Sequence, residues 1–127
     1  MIVVDASAAV LALLDDGDAR RILQSEDLHV PALADSEVAN ALRKGERSGS
    51  VKPEDALRAL GVWGRLGIRR YLAVGLLDRI WDLRQNMTGY DATYAALAEA
   101  LGCDLLTADA RLTRSPGLPC PVRVVSS

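Results

Sequence analysis

The 127-residue sequence has no surplus of positive charge: 15 Lys and Arg stand against 17 Asp and Glu, for a net charge of −2. With a pI of about 5.3, the chain carries no global basic surface with which to hold a nucleic acid unaided. A polyanionic substrate would need positive charge from another source. Cysteine is scarce as well. Cys103 and Cys120 are the only two, which argues against a disulfide framework and, with no secretory leader in view, for reduced thiols in a cytoplasmic protein. Long apolar runs are missing. The start "MIVVDASAAVLALLDD" lacks a basic leader, and Asp5 interrupts a run too short to cross a bilayer, so a buried strand followed by a helix is expected and no membrane partner. Histidine occurs once, as His29 in "LHVPAL", where a packed strand residue is expected and no functional role is assigned. Low-complexity runs, internal repeats and linkers are absent, since the Gly and Pro residues fall singly between periodic segments.

What is present is apolar residue, 50% of the chain. That is enough to bury the core of a single domain over residues 1–127. "IVVD" reads as a continuous apolar strand followed by a small-residue helix from Ala6 to about Leu14, and "DARRILQSE" opens a second helix at Asp18. Residues 28–30 form a short strand, and Pro31 precedes a helix running to about Arg47. "KPEDALRALGVWGRLG" is helical, with Pro53 near its start and Gly67 at its end, and its internal Gly61 and Gly64 would let another helix approach closely. "IRRYLA" is a strand, "GLLDRIWDLRQNM" an amphipathic helix, and "DATYAALAEALG" another that stops at Gly102. "DLLTA" and "PVRVV" are the last strands, with a helical turn in "DARLTRS" between them. Short apolar strands alternating with helices predict an α/β fold, a parallel sheet covered on both faces in a three-layer sandwich. In such sheets ligands bind outside the carboxyl ends of the strands, where the strand order reverses. Asp5 ends the first strand and Asp109 follows the fourth by two residues, which puts both on that edge.

Asp5, Glu37, Asp91 and Asp109 invite one explanation rather than four. Each alone has an ordinary one. Asp5 and Asp109 could cap the helical segments after them, Thr88 and Asp91 match a capping box, and Glu37 could be a solvated early-helix acid. Helical spacing weighs against that for two of them. Asp91 projects on the stripe of Tyr94, Leu97, Ala98 and Leu101, and Glu37 stacks next to Leu33, Ala34 and Ala41, beside the Val38 and Leu42 stripe. An unpaired carboxylate there must neutralise or find a cation. Two carboxylates about 5 Å apart repel by roughly 3 kcal/mol at an effective dielectric of ~20. A divalent metal relieves this, and oxygen-only ligands suit Mg²⁺ or Mn²⁺. All four acids fall near helix N-termini, whose dipoles favour the ionised form a hard cation requires.

Carboxylate-held metal with open water positions is equipment for phosphodiester hydrolysis. Arg43, Lys44 and Arg47 at the end of the Glu37 helix, with Arg111 and Arg114 after Asp109, could hold the rest of a polyanion, or simply solubilise the surface. Trp63, Trp81, Tyr71, Tyr90 and Tyr94 are candidate base-stacking residues, although Trp81 and Tyr94 lie on apolar stripes and are expected in the core.

With "MIVVDASAAV", "DSEVANAL", "YDATYAALAEALG" and "LLTADARL" in order along nearly the whole chain, the sequence resembles the PIN-domain ribonucleases, and most closely the VapC-like toxins of bacterial toxin–antitoxin pairs. The resemblance implies a five-stranded parallel sheet whose acidic pocket, Asp5, Glu37, Asp91 and Asp109, carries metal and catalysis. Asp5 and Asp91 would be the surest direct ligands, and Ser7 and Thr107 would support the acids by hydrogen bonding. It further implies a VapB-like antitoxin, an RNA substrate and a homodimer, for which "GVWGRLG" offers glycine-flanked apolar surface. The rival reading is a non-catalytic PIN-like binding protein whose acids dock a basic partner tail. Retention of all four acids speaks against it, and Mg²⁺ or Mn²⁺ binding separates the two. A haloacid-dehalogenase-like phosphatase would want a second Asp where Ser7 stands, and a receiver domain would want a lysine beyond Lys52.

Overall fold

In a computed structural model, which describes residues 1–126, the chain opens with β1 (Ile2–Val4), three branched residues that are all buried. Asp5 then caps α1 (Ala6–Leu14), its carboxylate accepting the Ala8 N–H at 3.0 Å. There follow α2 (Asp18–Ser25), β2 (Leu28–Pro31) and α3 (Ala34–Ser48), which ends on Gly49 at φ +82°, a left-handed conformation that glycine adopts without strain. Pro53 occupies the first turn of α4 (Pro53–Arg65), where its missing N–H has no partner to lose. Next come β3 (Ile68–Tyr71), a 3-10 turn at Ala73–Leu76, and α5 (Leu77–Asp82). α6 (Gly89–Leu101), β4 (Asp104–Thr107), a second 3-10 turn at Ala110–Arg114 and β5 (Val122–Val124) complete the chain.

The five strands are all parallel in the order β3-β2-β1-β4-β5. From β1 the chain steps outward through β2 to β3, then returns to the other side of β1 for β4 and β5, so strand order reverses between β1 and β4. Right-handed crossovers place α1 to α4 on one face and α5 and α6 on the other. Contacts agree: α1 packs against α2, α3 and α4, whereas α6 lies against α5 and across β1, β2 and β4. The expected three-layer sandwich is thus present.

Small residues set the layer spacing. Ala8, Ala9 and Ala12 of α1 are buried and let that helix lie close on the sheet, while Leu97 and Ala98 of α6 join the main core from the opposite face. Ala92 and Ala95 of α6 pack on Leu83 and Met87 in a second cluster, so this helix is buried on two sides and lacks a simple polar face.

Four expectations need correction. The stretch 75–87 is not one helix: only Leu77–Asp82 is α-helical, and the residues after it turn back so that Leu83 and Met87 can fill the second cluster. Trp81, expected in the core, is 66% exposed, with Arg84 stacked on its ring at 4.6 Å. Trp63 is instead buried, its indole N–H donating to Asp35 at 2.8 Å, so it contributes neither to base stacking nor to an exposed "GVWGRLG" surface. No helix among the described residues packs closely on Gly61 or Gly64: a side chain at Gly61 would meet only Arg65 of the same helix, and one at Gly64 would meet open space.

Candidate active site

Asp5 and Asp109 lie where sequence reasoning placed them, beyond the carboxyl ends of β1 and β4 at the reversal point. A chain of hydrogen bonds joins them. Ser7 Oγ donates to Asp5 Oδ1 at 2.6 Å, the Ala108 N–H donates to Ser7 Oγ at 2.9 Å, and the Asp109 N–H donates to Thr107 Oγ1 at 3.0 Å. Ser7 Oγ and Thr107 Oγ1 stand 3.2 Å apart. With the single Ser7 proton given to Asp5, the Thr107 hydroxyl must be the donor to Ser7. Thr107 is fully buried. It therefore holds the Asp109 backbone on one side and the Ser7 to Asp5 contact on the other.

Glu37 and Asp91 arrive from opposite layers, on the first turns of α3 and α6. The Tyr94 hydroxyl donates to Glu37 Oε1 at 2.5 Å, bridging the two layers. Thr88 caps α6 by accepting the Asp91 N–H at 3.1 Å. Both carboxyls are held above their ordinary range. For Glu37 the main cause is desolvation, with the charges of Asp5 and Asp91 adding to it and the Tyr94 bond opposing it. Asp91 is open to solvent as a residue, but packed atoms around its carboxyl desolvate it, and Asp5 and Asp109 repel its charge. For these two, burial and neighbouring negative charge act against the helix dipole, which favours the ionised form. Asp109 goes the other way, held low by the Arg111 side chain and backbone N–H.

The four acids therefore share one electrostatic neighbourhood. They do not stand closed around an ion: among the described residues no three His, Cys, Asp or Glu side chains form a ready-made metal cage. Two of the carboxylates are engaged elsewhere, Glu37 with Tyr94 and Asp109 with Arg111. The donor set is still oxygen only and short of positive charge, which fits a hard divalent cation of the Mg²⁺ or Mn²⁺ kind.

The basic candidates divide. Arg111 touches the cluster directly, and the charge of Arg114 reaches Asp109. Lys44 lies two turns beyond Glu37 on the same helical face, about 10 Å along the axis, while Arg43 is turned to the side; both are exposed. Of the aromatic candidates, Tyr71 bonds His29 Nδ1 at 2.6 Å, and His29 is buried as expected, its other nitrogen 2.9 Å from Asp27. Tyr90 is 68% exposed beside Asp91. Sequence reasoning missed the role of Tyr94 as partner of Glu37; its place three residues after Asp91 on one stripe was the available signal. It also missed Asp35, which takes a forked bond from Arg70 (2.8 and 2.9 Å) besides that from Trp63 and ties α3 to α4 and β3.

An acid cluster over the β1/β4 reversal of a five-stranded α/β/α sandwich is what the fold and site define, and the chain belongs to the PIN domain family, which matches residues 2–118. Within that family it is 53% identical over 125 residues to ribonuclease VapC9 of Mycobacterium tuberculosis, covering 98% of each chain. It is 42% identical over 128 residues to ribonuclease VapC1 of the same species, covering 97% of this chain and 96% of the relative. The fold is also that of VapBC2 from Rickettsia felis, solved bound to a promoter DNA fragment, with a TM-score of 0.68 at 17% identity over 99% of this chain and 100% of that one.

Proposed function

We propose that this chain is a divalent-metal-dependent endoribonuclease and the toxin of a toxin–antitoxin pair. Its near-full-length similarity to relatives named VapC ribonucleases supports the class of activity. The observation that carries the chemistry is the convergence of Asp5, Glu37, Asp91 and Asp109 at the sheet's reversal point, with Glu37 and Asp91 held protonated more readily than free carboxylates by desolvation and mutual charge. A cation would relieve the mutual repulsion of such a cluster. Asp5, Asp91 and Asp109 would hold Mg²⁺ or Mn²⁺, with Glu37 completing the pocket or orienting water. When bound, the ion supplies positive charge to the phosphate oxygens and acidifies water for attack.

The chain's own residues position and exclude. Asp5 is fixed by Ser7 and by the Ala8 N–H, and Thr107 fixes the Asp109 backbone. Glu37, steadied by the Tyr94 hydroxyl, would accept a proton from attacking water. Water oxygen joins phosphorus, the bond to the 3′ oxygen breaks and that oxygen takes a proton, leaving a 5′-phosphate and a 3′-hydroxyl. Arg111, and Arg43 and Lys44 farther out, would meet the backbone phosphates. Structured RNA such as tRNA or rRNA loops suits this site, since loops splay bases that single exposed aromatics can stack.

A VapB-like antitoxin is the expected partner, in keeping with the fold shared with VapBC2. We also propose a homodimer, for which Leu57, Leu60 and Val62 on α4 and Leu72, Val74, Leu77 and Trp81 near α5 offer exposed apolar surface; a monomeric mass by light scattering at micromolar protein would remove that part. No helix among the described residues is long and apolar enough to cross a membrane, and the site of action would be the cytoplasm, where the RNA is. The deciding experiment is cleavage of bacterial total RNA by purified protein with Mn²⁺ or with chelator, beside Asp91→Asn. Metal-dependent fragments that fall about a hundredfold or more in the variant support the reading. A folded protein that takes up neither Mg²⁺ nor Mn²⁺ in a calorimetric titration would instead be a docking module.

A further inference from the structure

Asp109 is the most heavily bonded of the four acids. Its Oδ1 accepts the Arg111 backbone N–H at 3.0 Å and Nε at 3.1 Å, and its Oδ2 accepts Nη2 at 3.1 Å. Both oxygens are therefore occupied by one residue, and the Arg111 charge also reaches Asp91. The guanidinium and a divalent cation compete for the Asp109 oxygens and repel each other, so each weakens the other's hold on that carboxylate.

The two kinds of bond differ in permanence. The backbone bond belongs to the 3-10 turn and orients Oδ1 whatever the side chain does. The forked side-chain contact is a surface ion pair, with the Arg111 side chain 85% and the Asp109 side chain 39% exposed, and such pairs are weak and readily broken. A guanidinium released from a metal-holding carboxylate stays within side-chain reach of any phosphate drawn to that metal. Its planar fork matches two phosphate oxygens as well as it matches two carboxylate oxygens.

We propose that Arg111 is a built-in occupant of the acidic pocket: it pairs with Asp109 while no cation is present, yields that carboxylate when a divalent ion binds, and transfers its fork to the RNA phosphate. The inference rests on the metal-holding role of the acids stated above. Arg111 then opposes metal binding and assists RNA binding, so removing it moves the two affinities in opposite directions. A merely structural arginine would weaken both.

The test titrates Mn²⁺ calorimetrically into wild type, Arg111→Ala, Arg111→Gln and, as a charge-matched control one turn away, Arg114→Ala, with no RNA present. KM for an RNA substrate at several salt concentrations is then measured on the same proteins. The two Arg111 variants should bind Mn²⁺ about two- to fivefold more tightly, the scale of an exposed ion pair, and more tightly than Arg114→Ala. Their KM should rise, and its logarithmic salt dependence should flatten by about 0.7, one phosphate contact on a single strand. Mn²⁺ affinity unchanged, weakened, or raised equally by Arg114→Ala overturns the competition, and an unchanged KM with unchanged salt slope overturns the transfer. Either failure in a wild type that binds Mn²⁺ and cuts RNA leaves the ribonuclease reading standing, whereas a wild type that takes up no metal sinks both.

Discussion

Thr107 shows how much a site can depend on a residue that touches no substrate. Its hydroxyl is buried, accepts the Asp109 N–H and donates to Ser7, which donates in turn to Asp5. Thr107→Val keeps the shape and removes both bonds, so the protein should lose about 1–3 kcal/mol of stability, with kcat falling more than KM because the acids, not the RNA surface, are disturbed. Thr107→Ser should restore most of both. Chemical denaturation and steady-state cleavage of the two variants check this, and a Val variant as active as wild type would remove Thr107 from the site. A second effect at this scale is pH dependence. The folded-state pKa values of Glu37 and Asp91 are raised, so the folded, metal-free chain binds protons that the unfolded chain has already released. Their protonation stabilises the fold below the unfolded carboxylate range, and that contribution is lost as pH rises through the folded values. Asp91→Asn, which cannot ionise, should therefore raise the Tm of the metal-free protein at pH 7 and leave it nearly unchanged at pH 4. A lower Tm at pH 7 would contradict the repulsion. Asp5 and Asp109 were legible because an acid at a strand's carboxyl end is conspicuous in a string of Val and Leu. The bond from Tyr94 to Glu37 was not, since it joins residues 57 apart in sequence whose helices lie in different layers.

Among elements, periodicity told most where burial is one-sided. The strands and the first four helices were readable because their apolar residues recur with one period and are bounded by signals such as the Asp5 cap and Pro53 at helix starts and Gly49 at a helix end. The region after β3 was not. Its apolar residues divide between a buried set, Leu83 and Met87, and an exposed set, Leu72, Val74, Leu77 and Trp81, and a helical stripe cannot distinguish a side chain that meets the core from one left in solvent. α3 shows the opposite kind of hidden detail. Asp35 stands two residues before Glu37 and resembles it on paper, yet it binds Trp63 of α4 and Arg70 of β3 and is held in the ionised state chiefly by Arg70. Asp35→Ala leaves the buried indole N–H without its partner and unlocks α3 from its neighbours, for an expected loss of about 1–3 kcal/mol. Because Asp35 does not join the acid cluster, kcat measured well below the new Tm should stay near wild type. A denaturation midpoint unchanged by the substitution would show that the indole and guanidinium find water as readily as Asp35.

At the scale of the whole molecule, the sheet's topology concentrates negative charge in one place: β1 and β4 bring Asp5 and Asp109 from the sheet itself, while α3 and α6 bring Glu37 and Asp91 from opposite layers. Arg111 answers only part of that repulsion in the metal-free fold, so a cation that binds only the folded arrangement must stabilise it. At a hundred times its dissociation constant a ligand of this kind contributes about 2.7 kcal/mol, which in a domain of this size is a rise in Tm of several degrees. Protons compete for the same oxygens. The Mn²⁺-induced rise in Tm should therefore be largest near pH 7 and shrink as pH falls through the range where Glu37 and Asp91 take up protons, and chelator should abolish it at every pH. Asp91→Asn should start from a higher metal-free Tm at pH 7 and gain less from Mn²⁺, so the gap between the two proteins narrows or reverses when metal is added. Thermal melts of both proteins at two pH values, each with Mn²⁺ and with chelator, measure all of this. A Tm insensitive to Mn²⁺ across the range would mean that the cluster's charge is answered by Arg111 and water alone, and the metal-dependent reading of the site would fall with it.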